Sequence, residues 1–343
     1  MEKNEILLSF AIPTYNRPKQ FERLIKGLIP QVTSEVEIVI RDDSQNSLTE
    51  EIVRREIKAR KIPFQYFKGE KIGADLAQLF LLEKSLGKYI WWFGDDDEIL
   101  PGAIKHVIEL VKKYPEIDYM WANFAYGDDK KLAISLPEEK FFKDRNEVIE
   151  CLGPNIGLLS TMFLKREKGM LFLELGRENA IGFAFAILVP VMGALTGDGK
   201  FFFLRGPYVF NNPTTIDEIK EIIMKTGKIK NEGFNVYGVN FYQIATLFKD
   251  KFKKRSMKKF LANNFAALWR GMLVGWIGGW DTPKGKRWKM FKYYWNFPEF
   301  WIAMPLFLMP LWINKILFRI YKIFFSHRKW VFDGKFKNFF NRQ

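Results

Sequence analysis

Apolar and polar positions follow two different periods along the first 125 residues. Runs at 6–12, 36–41, 64–67 and 89–93 are short and nearly unbroken, as expected of strands buried on both faces. Between them Phe21, Leu24, Ile25 and Leu28 recur at i, i+3, i+4 and i+7, the spacing of one helix face. A helix is predicted over about 48–61, and another, opened by residues 71–75, carries Leu76, Leu79, Leu82 and Leu86. A third is predicted over 101–113, before a further strand at 119–124. Strands alternating with helices of this length predict an α/β fold with a mostly parallel sheet flanked by helices.

The pattern weakens between 127 and 250. Residues 128–130 read as a hairpin tip, 182–195 as an apolar helical stretch, 201–210 as a strand and 216–226 as a polar helix. These segments are expected to supply the acceptor side of a site.

Composition changes the picture only near the end of the chain. Residues 1–250 hold 34 Lys and Arg against 36 Asp and Glu, whereas residues 251–343 hold 20 against 3. The net charge of +15 therefore belongs to the last quarter, as do eight of the eleven tryptophans. A near-neutral body, 1–215, is expected to be joined through a helical connector, 216–250, to a basic aromatic region, 251–343. One cysteine, Cys151, excludes an intrachain disulfide framework and suits a reducing compartment. His106 and His327 are far apart in sequence, which argues against zinc. No apolar core follows a basic start in the first residues, so no signal peptide is expected.

The chemistry concentrates where the fourth run ends. Trp91-Trp92-Phe93 leads directly into Gly94-Asp95-Asp96-Asp97-Glu98. Ligands in open α/β sheets collect at the carboxyl ends of strands, and adjacent carboxylates fixed there repel one another unless a cation intervenes. An all-oxygen set suits Mg²⁺ or Mn²⁺, completed by a substrate's phosphates. The competing reading is a solvated acidic turn before a helix. The other strand ends carry polar groups too. Pro13, Thr14 and Tyr15 offer backbone groups and a ring to a base, with Arg17 near phosphates. Asp42 or Asp43 can accept a pyrimidine N–H. Lys71 and Gly73 lie before a helix, where glycine allows close backbone approach, and Asp75 stands at the helix start.

Three segments resemble the GT-A glycosyltransferases, in particular the inverting family 2. Residues 9–18, SFAIPTYNRP, are similar to that family's opening strand and loop, and 38–44, IVIRDDS, to its second strand. Residues 87–97, GKYIWWFGDDD, resemble its approach to the metal motif, in the form found in the abequosyltransferase-like branch. The resemblance implies a nucleotide-sugar donor site of Pro13, Thr14, Tyr15, Arg17, Asp43, Lys71, Gly73, Asp75 and Asp95. It implies Asp96 as the main ligand of Mn²⁺ or Mg²⁺, with Asp95 and Asp97 beside it. An inverting transfer also needs a carboxylate base. The family's acidic doublet has no counterpart at 182–184, so Glu178 is the first candidate, with Asp97, Glu98 and Asp198 as the others.

The last region adds a partner. Residues 300–314 carry no charge but are interrupted by Pro305 and Pro310, and fall short of the roughly 20 apolar residues of a spanning helix. Beyond them Lys315, Arg319 and Lys322 form a cationic stripe on an apolar helix, the pattern of a segment lying in a bilayer interface. Basic clusters at 251–259 and 284–292 sit beside aromatics, which suits anionic headgroups. The alternatives are a helical core solubilised by lysines, or a nucleic-acid surface; such continuous apolar blocks exceed what base stacking needs. The expected whole is a peripheral glycosyltransferase on the cytoplasmic face of a membrane, with a polyprenyl-diphosphate-linked glycan as acceptor. A nucleotidyltransferase is the alternative enzyme, although no Gly-rich phosphate loop follows the first strand. A non-catalytic membrane-bound scaffold is the alternative without chemistry.

Overall fold

The computed structural model describes residues 5–60, 62–126, 130–179, 185–211, 235–277 and 285–325. The chain divides into two compact units, Met1–Pro213 with Ile244–Met257, and Thr214–Gln243 with Lys258–Gln343. The segment expected as a connector, 216–250, is thus shared between them. The predicted helix 216–226, the tip at 128–129 and the residues 182–184 lie outside the described residues.

The first unit is built on one mixed sheet. Its strands are β1 (Leu8–Thr14), β2 (Val36–Asp42), β3 (Phe64–Lys68), β4 (Tyr89–Trp92), β5 (Glu98–Ile99), β6 (Ile117–Tyr126), β7 (Lys131–Leu132), β8 (Lys140–Phe141), β9 (Met162–Lys165) and β10 (Lys200–Asn211). The order is β3-β2-β1-β4-β9-β6-β10-β5, with β7 on β6 and β8 on β10. β3, β2, β1 and β4 run parallel. β9 lies antiparallel between β4 and β6, and β10 returns parallel to β6. Helices α1 (Pro18–Leu28), α2 (Leu48–Ile52), α3 (Ala74–Lys84) and α4 (Ala103–Lys113) follow successive strands. The shorter α5 (Arg145–Leu152), α6 (Arg166–Met170), α7 (Leu173–Glu178) and α8 (Leu188–Leu195) come later in the chain. α8 occupies the second half of the predicted apolar stretch.

β4 shows why the sheet is buried on both faces. Successive side chains alternate between faces, and both indoles reach a backbone acceptor. Trp92 Nε1 donates to Gln78 O of α3 at 3.1 Å, and Trp91 Nε1 donates to Ser160 O at 2.9 Å. Phe10 of β1 packs on Phe93 and Trp91 with centroids 4.8 and 5.6 Å apart.

Helices α9 (Phe241–Leu247) and α10 (Lys254–Ile277) each carry residues of both units. The second unit continues with α11 (Arg287–Tyr294), α12 (Pro298–Leu308) and α13 (Leu311–Phe325). Its interior is aromatic: Tyr294 stacks on Phe265 at 4.5 Å and donates its hydroxyl to Gly238 O at 2.7 Å. No single helix among the described residues is long and apolar enough to cross a membrane. α12 and residues 311–320 reach that length only as a pair, bent by 117° at their break.

Candidate active site

The site forms where β1, β2 and β4 end together. Thr14 of β1 lies opposite Asp42 of β2, whereas pairing to β4 stops at Ala11 opposite Trp92. Phe93 N–H donates the last bond to Ala11 O at 2.9 Å. Pro13 has no N–H to continue the ladder, so the chain after Phe93 is free to turn away from β1. That turn is 94–97. It is closed by β5, whose Ile99 and Glu98 pair antiparallel with Val209 and Phe210 of β10.

The three aspartates then face different partners. Asp95 is 5% exposed; its carboxylate accepts from the Thr14 hydroxyl at 2.7 Å and from Arg17 Nη1 at 3.1 Å. The same Arg17 nitrogen donates to Asp96 at 3.0 Å. Burial pushes the Asp95 carboxyl up to about 6, against the pull of Arg17 and the Thr14 hydroxyl. Asp96 is the more open of the pair, with 31% of its side chain exposed, and Arg23 donates to its carbonyl at 2.7 Å. Asp97 is buried and turned the other way. It accepts a hydrogen bond from the Ser160 hydroxyl and another from Asn211 Nδ2 at 2.8 Å.

Among the described residues no three His, Cys, Asp or Glu side chains converge on one metal-sized space. The donors nonetheless match a hard cation in kind. A side chain at Gly94 would meet Asp96 Oδ1 at 3.1 Å, Asp97 Oδ2 at 3.4 Å and Ser160 Oγ at 3.4 Å, so three oxygens are the nearest atoms to the missing Cβ. With only two carboxylates, the rest of the shell would fall to phosphates and water, as is usual for Mg²⁺.

The remaining predicted residues separate into two groups. Tyr15 and Lys71 come together, with Nζ 4.1 Å from the ring centroid and Tyr15 41% exposed. They form an open aromatic and cationic wall beside Thr14 and Arg17. Asp43 and Asp75 are buried and hold backbone. Asp43 accepts from Arg41 Nε at 2.8 Å, Ile72 N–H at 3.0 Å and Gly73 N–H at 3.1 Å, so it anchors the 70–73 loop with most of its acceptor capacity. Gly73 is needed for its φ of +86°, since nothing lies within 4 Å of its Cβ position; close approach of the protein is not the reason. Asp75 accepts from Ala186 N–H at 3.0 Å and ties α3 to the segment before α8. Glu178 ends α7 as an exposed side chain. Ser160, Asn211 and Arg23 were not anticipated; only Asn211, at a strand's carboxyl end, carried a usable signal.

A parallel β1–β4 region whose carboxyl ends gather a Thr, an Arg and an acidic turn is the GT-A arrangement of nucleotide-sugar-dependent folds. Residues 9–167 match the family model for glycosyl transferase family 2, so the first unit carries a family 2 domain. The chain is 28% identical over 104 residues to the GalNAc(5)-diNAcBac-PP-undecaprenol beta-1,3-glucosyltransferase of Campylobacter jejuni, covering 30% of this chain and 33% of that protein. It is 32% identical over 102 residues to abequosyltransferase RfbV of Salmonella typhimurium, covering 29% and 31%. The matched stretch thus spans about a third of the length of these curated relatives. Two crystal structures of S. aureus TarS 1–349 share the fold. One has a TM-score of 0.53 at 16% identity, covering 90% of this chain and 79% of that one. The other, a UDP complex, has a TM-score of 0.57 at 13% identity, covering 91% of each.

Proposed function

We propose that the chain is a metal-dependent glycosyltransferase that moves a sugar from a nucleoside diphosphate to a hydroxyl of a lipid-linked glycan, with inversion. The observation that carries this reading is the joining of Thr14, Arg17, Asp95 and Asp96 at the ends of β1 and β4. In it, Tyr15 and Lys71 flank the base, Arg17 moves to the diphosphate, and Asp96, completed by phosphates and water, would hold Mn²⁺ or Mg²⁺. The cation would neutralise charge on the departing diphosphate. The C. jejuni relative is named for a PP-undecaprenol-linked glycan, which supports a polyprenyl-linked acceptor here.

Asp97 suits the role of base better than Glu178. Its carboxylate is oriented by Ser160, in the turn before β9, and by Asn211 at the end of β10, whereas Glu178 is a solvated helix end. The acceptor O–H proton would pass to Asp97 as oxygen bonds to the anomeric carbon. The bond from that carbon to the diphosphate oxygen breaks, and the nucleoside diphosphate leaves with the electron pair.

Calorimetric titration with UDP, GDP, CDP and dTDP, with and without Mn²⁺, tests the donor site. One nucleotide should bind only with metal, and Asp96→Asn should abolish that binding. Folded protein that binds none of the four under either condition would remove the reading.

A further inference from the structure

The second unit sorts its aromatic side chains into two sets, and only one of them is core. On α12, Phe300, Ala303 and Phe307 are buried at i, i+3 and i+7, while Trp301, Ile302 and Leu308 are 59, 65 and 64% exposed. A helix apolar all round belongs inside a protein or against lipid. Here half of it is covered. On α11, Trp288, Phe291 and Trp295 form an exposed ladder, with ring centroids 5.6 and 6.5 Å apart. The ladder continues onto α12, where Trp301 Nε1 donates to Trp295 O at 2.8 Å.

The bend between α12 and α13 follows directly on this helix. Arg287 closes the end of α12, donating twice to Phe307 O at 3.0 and 2.6 Å, and Asn314 Nδ2 reaches Leu306 O at 2.7 Å. Two carbonyls before the turn, those of Leu306 and Phe307, thus accept from side chains, and exposed residues around its vertex are Leu308, Pro310 and Trp312. Along α13, Trp312, Lys315, Ile316, Arg319 and Ile320 recur at i, i+3, i+4, i+7 and i+8, and all are exposed. Lys322, which extends the stripe in sequence, lies outside the side chains described. Exposed Lys289 and Lys292 border the ladder on α11.

We infer that this face, from Trp288 through Trp301 to Arg319, is a docking surface for an anionic lipid bilayer. Tryptophans and short apolar side chains on one face, edged by Lys and Arg whose stems can lie along them, match the boundary between acyl chains and headgroups. Charge decides the occupant: exposed Lys289, Lys292, Lys315 and Arg319 complement anionic headgroups and would repel a second copy of the same face. The helix pair, bent by 117°, would rest with its vertex in the interface. This inference goes beyond the transfer reading and does not depend on it.

The test is co-sedimentation of the full chain with phosphatidylglycerol vesicles, phosphatidylcholine vesicles, or none. The chain should pellet with phosphatidylglycerol and much less with phosphatidylcholine. Trp301→Glu with Trp312→Glu should lower the partition coefficient at least tenfold. Because both sites are exposed, circular dichroism should be unchanged. Lys315→Gln with Arg319→Gln should cost about fivefold per charge on phosphatidylglycerol alone. For the wild type, brominated lipid should quench tryptophan fluorescence. Equal pelleting with and without vesicles would overturn the inference. So would self-association abolished by the Trp variants, or a 20-mer oligonucleotide bound in preference to vesicles. Nucleotide titration without vesicles reports on the transfer reading separately.

Discussion

Arg17 Nη1 sits 3.0 Å from Asp96 and 3.1 Å from Asp95, so one guanidinium nitrogen bridges two adjacent carboxylates. The loop that delivers Arg17 is held by Asn16, whose N–H donates to Ser44 Oγ at 2.8 Å and whose φ of +55° is one that Asn tolerates. Pro18 then starts α1. With 39% of its side chain exposed, Arg17 can leave the pair for a diphosphate. Arg17→Gln should therefore bind Mn²⁺ alone more tightly than the wild type. It should bind the nucleoside diphosphate with Mn²⁺ about tenfold to hundredfold more weakly, the scale of one charged hydrogen bond. Calorimetry on the variant and the wild type checks this; unchanged nucleotide affinity would detach Arg17 from the donor site.

Asp97 and Ser160 permit a second test. If Asp97 removes the acceptor proton, Asp97→Asn should lower kcat by about 10²- to 10⁴-fold with little change in donor affinity. Ser160→Ala leaves the carboxylate but removes its orienting donor. It should lower kcat less than Asp97→Asn while leaving donor affinity and the urea midpoint unchanged, a split that a purely structural role would not give. Glu178→Gln should be near wild type. A Glu178 variant that loses activity while Asp97→Asn retains it would reverse the assignment.

The parallel half of the sheet was more legible than the rest. Runs at 6–12, 36–41, 64–67 and 89–93 became β1 to β4 within about two residues at their bounds, because strands buried on both faces read as plain apolar runs. β9 was missed: its four residues MFLK are too short for periodicity, and they pair antiparallel with two strands remote in sequence. Thr14, Arg17, Asp95 and Asp96 could be grouped because each ends a strand or opens the following loop. The partners of Asp97 could not, since Ser160 and Asn211 reach it across 63 and 114 residues. For Asp43 and Asp75, residue type suggested a ligand, and the backbone N–H groups that each carboxylate also holds could not be read from it.

Burial of Asp95 gives a pH signature. Its carboxyl rises from the ordinary 3.8 to about 6, so the folded state holds a proton that the unfolded chain has released across that window. Its contribution to stability is therefore best at low pH, declines as pH rises from about 4 to about 6, and is level above. The full decline corresponds to roughly 3 kcal/mol. Urea unfolding of the wild type and Asp95→Asn in EDTA, from pH 4.5 to 7.5, should show a difference that changes across this window in favour of the variant. Parallel curves would mean that Asp95 titrates normally.

Gly87 tests the opposite end of the sheet. Its N–H donates to Ser9 Oγ at 2.8 Å, and Ser9 in turn donates to the buried Glu37 at 2.6 Å. Glu37 also accepts from Leu86 N–H at 2.6 Å and from Gln65 at 2.9 Å. This network ties the amino ends of β1, β2 and β3 to the turn before β4. A Cβ on Gly87 would fall 2.6 Å from Ser9 N and 2.7 Å from its hydroxyl. The first is backbone inside a sheet and cannot swing aside. Gly87→Ala should therefore destabilise by about 1–3 kcal/mol, as overpacking does, seen as a lower urea midpoint with the same slope. The strain lies at the amino ends, away from Thr14 and Asp96, so nucleotide affinity measured well below the transition should be unchanged. A parallel loss of affinity would mean that β4 transmits the shift along its length to the acidic turn.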